Sequence, residues 1–246
     1  MKYFLLLACM LITGFIGISQ TLQLHYDLRH TMDPANNPKN FPTLYFEYFK
    51  NQDSGRAFIK PGSFLFKMQA DLLGQDANIG KVYVQVSQTL RCWQPRVLLH
   101  LSYSGGLGVT EPKEYSYYIL NTYAVGVAYP FEWKGGYFSS VLDYKYVPYT
   151  KPSSDFLYTF YFYKGFLNYR GELAGDFSFW TENKNHGDIL TNNLTGKRFF
   201  FYAEPQLWYR IAGSVSIGTK INIYYHIYTN ADRWQVYPAA AVKWKL

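Results

Sequence analysis

The stretch Leu167–Trp180, which reads Leu-Asn-Tyr-Arg-Gly-Glu-Leu-Ala-Gly-Asp-Phe-Ser-Phe-Trp, decides the fold class. Every second position is apolar, aromatic or glycine, and the positions between include Arg170, Glu172 and Asp176. Because successive side chains of a strand point to opposite faces, this pattern predicts one long strand with an apolar and a charged face. Its length exceeds the about 5–6 residues of a usual strand and reaches the about 9–11 of a tilted membrane-spanning strand.

The first residues have the pattern of a secretory signal peptide. Lys2 precedes an apolar run over Tyr3–Ile12, and the small residues Gly17 and Ser19 have the spacing that signal peptidase cleaves. We therefore expect residues 1–19 to be a cleaved signal peptide and residues 20–246 to form one domain. About 225 residues is a common size for a single all-β barrel.

Composition favours a membrane barrel over the other classes. Aromatic residues make up 20% of the chain and charged residues 17%, and the mean hydropathy is −0.20. No window is apolar enough for a transmembrane helix. The net charge is +7, but basic and acidic residues are interleaved, so nucleic-acid binding has little support. Without the signal peptide Cys92 is the sole cysteine, which excludes an intramolecular disulfide.

Eleven further segments have strand patterns; most alternate like the first one, Tyr115–Tyr129 does so less cleanly, and the almost wholly aromatic Phe156–Tyr163 does not indicate which face is inward. We predict an all-β fold, a transmembrane antiparallel β-barrel of about twelve strands in the outer membrane of a Gram-negative bacterium. A soluble β-sandwich fits each strand alone, but the strand lengths and the Tyr and Trp residues near strand ends favour the barrel. Pro205, inside one segment, predicts a bulge. The predicted strands are 22–28, 43–50, 64–72, 81–88, 97–104, 115–129, 138–146, 156–163, 167–180, 199–209, 214–228 and 234–246.

Three early segments, Thr43–Phe49, Phe64–Asp71 and Lys81–Ser87, resemble the early strands of the Tsx-like nucleoside-channel family. Leu22–Asp27 resembles the mature start of an uncharacterised Gram-negative branch of that family. The resemblance covers the first third of the chain best, and the long connection Asn51–Gly62 departs from it. It implies a small twelve-stranded outer-membrane barrel that passes nucleosides.

The polar faces of the strands would line the lumen of such a barrel. Aromatic faces can stack on bases, and carboxylates can accept hydrogen bonds from sugar hydroxyls, so the lumen fits a nucleoside-sized solute. The alternative for each residue is that paired charges brace the wall and aromatic rings plug it. The candidates for solute contact are Tyr45, Glu47, Phe49, Lys67, Asp71, Tyr83, Arg170, Glu172, Asp176, Lys220, Asn222 and His226.

Besides a solute channel, the sequence leaves two other functions open: a lipid hydrolase and a non-conducting barrel. His100 and Ser102 lie two apart on one strand face, as in outer-membrane phospholipases, but Leu99 and Leu101 take the lipid face and turn the pair inward. The third possibility is a non-conducting structural or recognition barrel with Thr181–Lys197 as its binding loop.

We expect a passive channel for small polar solutes, not an enzyme. The sequence contains no metal-ligand spacing or phosphate-binding loop, so we expect no cofactor and no metal. The expected partners are small polar solutes, outer-membrane lipid and the barrel-assembly machinery that inserts such proteins.

Overall fold

The computed structural model describes residues 18–51, 59–74, 76, 78–92, 96–110 and 115–246. The predicted signal peptide lies outside these ranges except for Ile18 and Ser19, which begin the first strand. In order, the elements are β1 (Ile18–Asp27), the helical turn α1 (Arg29–Met32), β2 (Phe41–Asn51), β3 (Lys60–Asp71), β4 (Lys81–Arg91), β5 (Leu98–Val109), β6 (Ser116–Trp133), β7 (Gly136–Val147), β8 (Ser153–Phe166), β9 (Gly171–Asn183), β10 (Lys197–Ala203), β11 (Gln206–Ala212), β12 (Val215–Tyr225) and β13 (Trp234–Lys245).

The strands form one closed antiparallel sheet. β13 pairs with both β12 and β1, so the sheet has no free edge. β10 and β11 each pair with β9 and β12, so they are two halves of one wall strand. The wall therefore has twelve positions, and the prediction of an all-β barrel of about twelve strands is confirmed.

The break between β10 and β11 lies at Glu204 and Pro205. Proline has no N–H for the ladder, yet the pairs Ala203–Phe177 and Gln206–Ala174 keep one register, so no residue is inserted. The predicted bulge is therefore wrong. Gly175 faces the break with φ of +146°, and a Cβ there would lie 2.5 Å from the Glu204 carbonyl oxygen. Glycine is thus required where the two backbones meet.

The predicted start of β9 and the predicted end of β12 are both wrong because residues with positive φ turn the chain there. Leu167, Asn168 and Tyr169 have φ of 52°, 53° and 60°, so they turn the chain and β9 starts only at Gly171. His226, with φ of 62°, follows the end of β12. The alternation of residue types continues through these positions, but left-handed backbone ends a strand.

The barrel is apolar outside and polar inside. Large apolar side chains such as Leu24, Val125 and Leu142 are exposed, whereas their neighbours Gln23 and Asp143 are buried. A soluble protein would rarely leave so much apolar surface in water, and this inversion is the pattern of a membrane barrel. Within the described residues, none of the helical structure is long and apolar enough to span a bilayer.

The two ends of the barrel differ in their connections. Residues 28–40, 72–80, 110–115, 148–152, 184–196 and 226–233 connect strands at what we call the long-loop end. The opposite end, the short-turn end, carries the start of β1, the end of β13 and the turns 134–135, 167–170 and 213–214. The connection 52–59 is also at the short-turn end, and residues 52–58 lie outside the described ranges.

Arginine substitutions at two depths in the membrane test whether the outer face of the wall contacts lipid. Leu142 is in the middle of β7 and 52% exposed, and Tyr118 is near the long-loop end of β6 and 79% exposed. We expect Leu142→Arg to lower the free energy of unfolding by about 2–4 kcal/mol and Tyr118→Arg by about 0–1 kcal/mol, because the penalty falls toward the interface. Denaturant unfolding in lipid bilayers measures both; equal losses would contradict a membrane-spanning wall.

Candidate functional site

A lysine crosses the lumen at mid-height. Lys67 on β3 places its Nζ 2.7 Å from the Asp176 carboxylate on β9 and 2.8 Å from that of Glu204, just after β10. Around the closed sheet, six steps separate β3 from β9 in either direction, so the two strands are on opposite walls. Lys67 therefore meets, across the lumen, carboxylate side chains that extend from the opposite wall.

A second lysine completes this group of charges. The Lys220 Nζ lies 2.6 Å from Glu204, and the Tyr202 hydroxyl donates to the same carboxylate at 2.7 Å. Lys67, Asp176, Glu204 and Lys220 form what we call the mid-lumen cluster, and all four are buried. Two positive and two negative charges balance there, as buried charges require.

A cavity of about 460 Å³ lies between this cluster and the short-turn end. Ser19, Asn51, Ser63 and Lys245 line its outer part, and Lys67 and Asp176 close its inner end. Its charged lining consists of three lysines and three carboxylates, so neither sign prevails. These are Lys67, Lys243, Lys245, Glu47, Glu172 and Asp176, and the aromatic lining includes Phe49, Tyr137, Tyr161, Tyr163 and Trp208.

Two carboxylates near the mouth differ in their partners. Glu172 is bound by Lys243 at 2.5 Å and by Lys245 at 3.0 Å, and the Lys243 Nζ lies 4.7 Å from the centre of the Trp208 ring. Among the described residues, Glu47 accepts a hydrogen bond from the Tyr45 hydroxyl at 3.2 Å and makes no ion pair. A carboxylate has about four acceptor positions, so Glu47 can accept further hydrogen bonds from a solute.

Side chains fill one side of the lumen at the long-loop end. The Lys81 Nζ lies 2.6 Å from Asp71, and Arg29 packs over the rings of Tyr228 and Tyr237 at 5.5 and 5.1 Å. Burial alone would raise the pKa of the Tyr228 hydroxyl, but the Lys81 and Arg29 charges outweigh burial and lower it. These contacts close the lumen beside β1–β4, β12 and β13.

The other side of the long-loop end is held by Glu182. Its carboxylate is paired with Lys145, accepts from the Trp180 indole at 2.8 Å and accepts from the Tyr149 hydroxyl at 2.7 Å. Burial raises the pKa of Tyr149, and the Glu182 charge raises it further. The Tyr149 ring stacks on His186 at 3.8 Å, which ties the loop 184–196 to the wall.

The twelve candidate residues lie in three places: five line the cavity, five face the lumen outside it, and two, Arg170 and His226, lie outside the lumen. Glu47, Phe49, Lys67, Glu172 and Asp176 line the cavity. Tyr45, Asp71, Tyr83, Lys220 and Asn222 also lie on inward-facing positions but are outside the cavity lining.

The lumen positions predicted for Arg170 and His226 are wrong. Arg170 lies on the exposed turn after Tyr169 and packs over the Tyr209 ring at 5.6 Å. His226 lies in the loop after β12, where it contacts the Phe199 carbonyl oxygen at 2.8 Å and Asp232 at 2.7 Å.

Sequence reasoning missed two lumen features. Alternation with Gln206 places Glu204 on the polar face of its strand, but the residue was not among the candidates for solute contact. The pairing of His100 with Asp143, at 2.9 Å, joins strands that are not neighbours. His100 and Ser102 face the lumen, as the alternation predicted, so they do not form a dyad on the lipid face.

Within the described residues, no group of three His, Cys, Asp or Glu side chains is placed to hold a metal ion.

A family model described as "Domain of unknown function (DUF5020)" matches residues 19–246. No curated protein matches the chain. Three solved structures are similar at 8% identity: a porin refined at 1.8 Å, OccAB3 of Acinetobacter baumannii and LpxR of Salmonella typhimurium. They cover 93%, 94% and 93% of this chain, which in turn covers 99%, 100% and 100% of theirs, with TM-scores of 0.42, 0.44 and 0.41. Likeness at this level says nothing about the function of this chain.

Removal of Glu204 tests the mid-lumen cluster. We expect Glu204→Ala to lower the free energy of unfolding by about 3–5 kcal/mol, because Lys220 loses its buried carboxylate and Lys67 keeps Asp176 alone. The control is Asp232→Ala, which removes an exposed partner of His226 and should cost about 0–1 kcal/mol. Denaturant unfolding in micelles measures both variants, and a loss at Glu204 as small as that at Asp232 would contradict a tightly paired cluster.

Proposed function

This chain belongs to the family described as "Domain of unknown function (DUF5020)", and we propose that it is an outer-membrane channel for small polar solutes, with nucleosides favoured. The observation that carries the proposal is a cavity of about 460 Å³, lined by charged and hydroxyl-bearing side chains as well as by aromatic rings, inside a wall that is apolar on its outer face. In this proposal the protein lies in the outer membrane of a Gram-negative bacterium, and the short-turn end faces the periplasm. Membership of the Tsx-like family stays a prediction.

The cavity lining supports a neutral solute. Its three lysines and three carboxylates give no net charge, so neither anions nor cations gain from entering. Tyr161 and Tyr163 contribute aromatic rings to the lining, on which a flat group can pack, and Glu47 and Asp176 contribute carboxylate acceptors for hydroxyls. A nucleoside combines a flat base with a hydroxylated sugar, which is why we favour it.

Passage through the barrel requires Lys67 to leave its partners. Its Nζ makes both of its contacts, with Asp176 and Glu204, on the far side of the lumen. A lysine side chain has four flexible carbons, so it can swing back to its own wall when a solute or water takes over the carboxylates. The proposed channel is therefore closed at rest and opens when this bridge is broken.

Conductance tests the channel. In planar bilayers we expect rare openings for the natural protein and several-fold more open time for Lys67→Met, which keeps the length of the side chain but removes the bridging charge. Uridine should reduce the current through the open variant because it occupies the cavity. Lys245→Met is the control, since Lys245 lies half-exposed at the mouth and does not cross the lumen. No conductance and no liposome swelling from any of the three proteins would refute the channel.

The closed lumen also favours a second candidate, a non-conducting recognition barrel. The loop 184–196 carries Ile189 and Leu190, each 90% exposed, at the long-loop end. A barrel that stays closed after Lys67→Met would support this second function over the first.

A further inference from the structure

The lumen contains a histidine–carboxylate pair that the channel proposal does not use. His100 on β5 places Nδ1 2.9 and 3.0 Å from the two carboxylate oxygens of Asp143 on β7. The His100 side chain is 6% exposed and that of Asp143 is 1% exposed. His100 nevertheless lines the cavity between the mid-lumen cluster and the short-turn end.

Glycine on the intervening strand makes this pair possible. In the register of the sheet, Gly126 on β6 lies between His100 and Asp143. A Cβ at Gly126 would lie 2.5 Å from an Asp143 carboxylate oxygen. The missing side chain therefore leaves the room in which the imidazole reaches across one strand to the carboxylate.

The geometry determines what the other ring nitrogen can do. Because the carboxylate can only accept, the Nδ1–H donates to Asp143 and the neutral ring presents Nε2 as an acceptor. Within the described part of the chain, Nε2 has no protein partner, and it is not among the buried polar atoms that lack one. Nε2 is therefore open to the cavity.

The surroundings favour a ligand that brings hydroxyl protons. Ser87 and Ser139 also line the cavity and can each donate and accept hydrogen bonds, and the lining includes the Tyr137 and Tyr161 rings. An imidazole Nε2 that faces the cavity can accept a hydrogen bond from a solute that carries hydroxyl groups.

We propose that His100, oriented by Asp143, is a hydrogen-bond acceptor for a hydroxyl group of the solute, so that the cavity binds polyhydroxylated molecules such as the sugar part of a nucleoside. This inference rests on the proposed function in that it names a subsite of the same cavity. Asp143 is a positioning residue, since it selects the tautomer and does not itself touch the solute.

Calorimetric titration of the purified barrel in detergent tests the subsite. The two probes are uridine and 2′,3′-dideoxyuridine, which lacks the two sugar hydroxyls. We expect the natural protein to bind uridine at least about fivefold more tightly, the effect of about one hydrogen bond. His100→Ala should remove this preference, and His100→Gln should restore part of it because the amide oxygen also accepts.

The Asp143→Asn variant distinguishes two roles of Asp143: orienting the His100 ring for the solute, and supporting the barrel wall. The asparagine side chain fills the same space but is uncharged and presents one acceptor oxygen instead of the two that His100 Nδ1 contacts, so it orients the ring less firmly. We expect the uridine preference to be reduced while the circular dichroism and the heat-modified gel migration of the barrel stay unchanged. His186→Ala is the matched control, since this histidine stacks on Tyr149 in a loop outside the cavity.

The outcomes distinguish this inference from the channel itself. Equal binding of both probes by the natural protein, binding of neither probe, or an unchanged preference in His100→Ala and Asp143→Asn would overturn the subsite, whatever the bilayer currents show. A preference that depends on His100, in a barrel that never conducts, would support the subsite and refute the channel.

Discussion

The bridge from Lys67 to Asp176 and Glu204 is the contact on which the interior depends. Fully buried charges are costly unless they are paired, and at mid-lumen this requirement draws Lys67 from one wall to carboxylates of the opposite wall. Lys220 then balances the second carboxylate. The cluster separates the open cavity at the short-turn end from the filled half at the long-loop end.

Closure of the sheet sets the positions of these charges. Pairing around the closed sheet makes side chains alternate between lipid and lumen, apart from register shifts such as those between Pro61 and Phe64 and between Ser104 and Gly106. The break at Pro205 does not shift the register, so Glu204 and Gln206 remain on the lumen side. Gly175 leaves room for the backbone of Glu204, and Gly126 leaves room for the contact between His100 and Asp143.

Much of the wall could be predicted because alternation at period two has a direct physical cause. The stretch that starts at Leu167 shows the limit: the residue types of 167–170 continue the pattern, but three left-handed residues turn the chain, so Arg170 is on the surface. His226 left the lumen for the same reason. Glu47, Lys67, Glu172 and Asp176 were placed correctly in the lumen, although whether a solute touches them stays a prediction.

The sequence by itself determined the fold class, the inward face of most strands and the presence of both charge signs in the lumen, because these follow from side-chain alternation and composition; the almost wholly aromatic segment Phe156–Tyr163 gave no facing. Only the tertiary structure decided which charges meet. Lys67 and Asp176 are 109 residues apart in the chain, and His100 and Asp143 are 43 apart. Their meeting depends on the order of strands around the closed barrel and on side chains long enough to cross it, which no local pattern encodes.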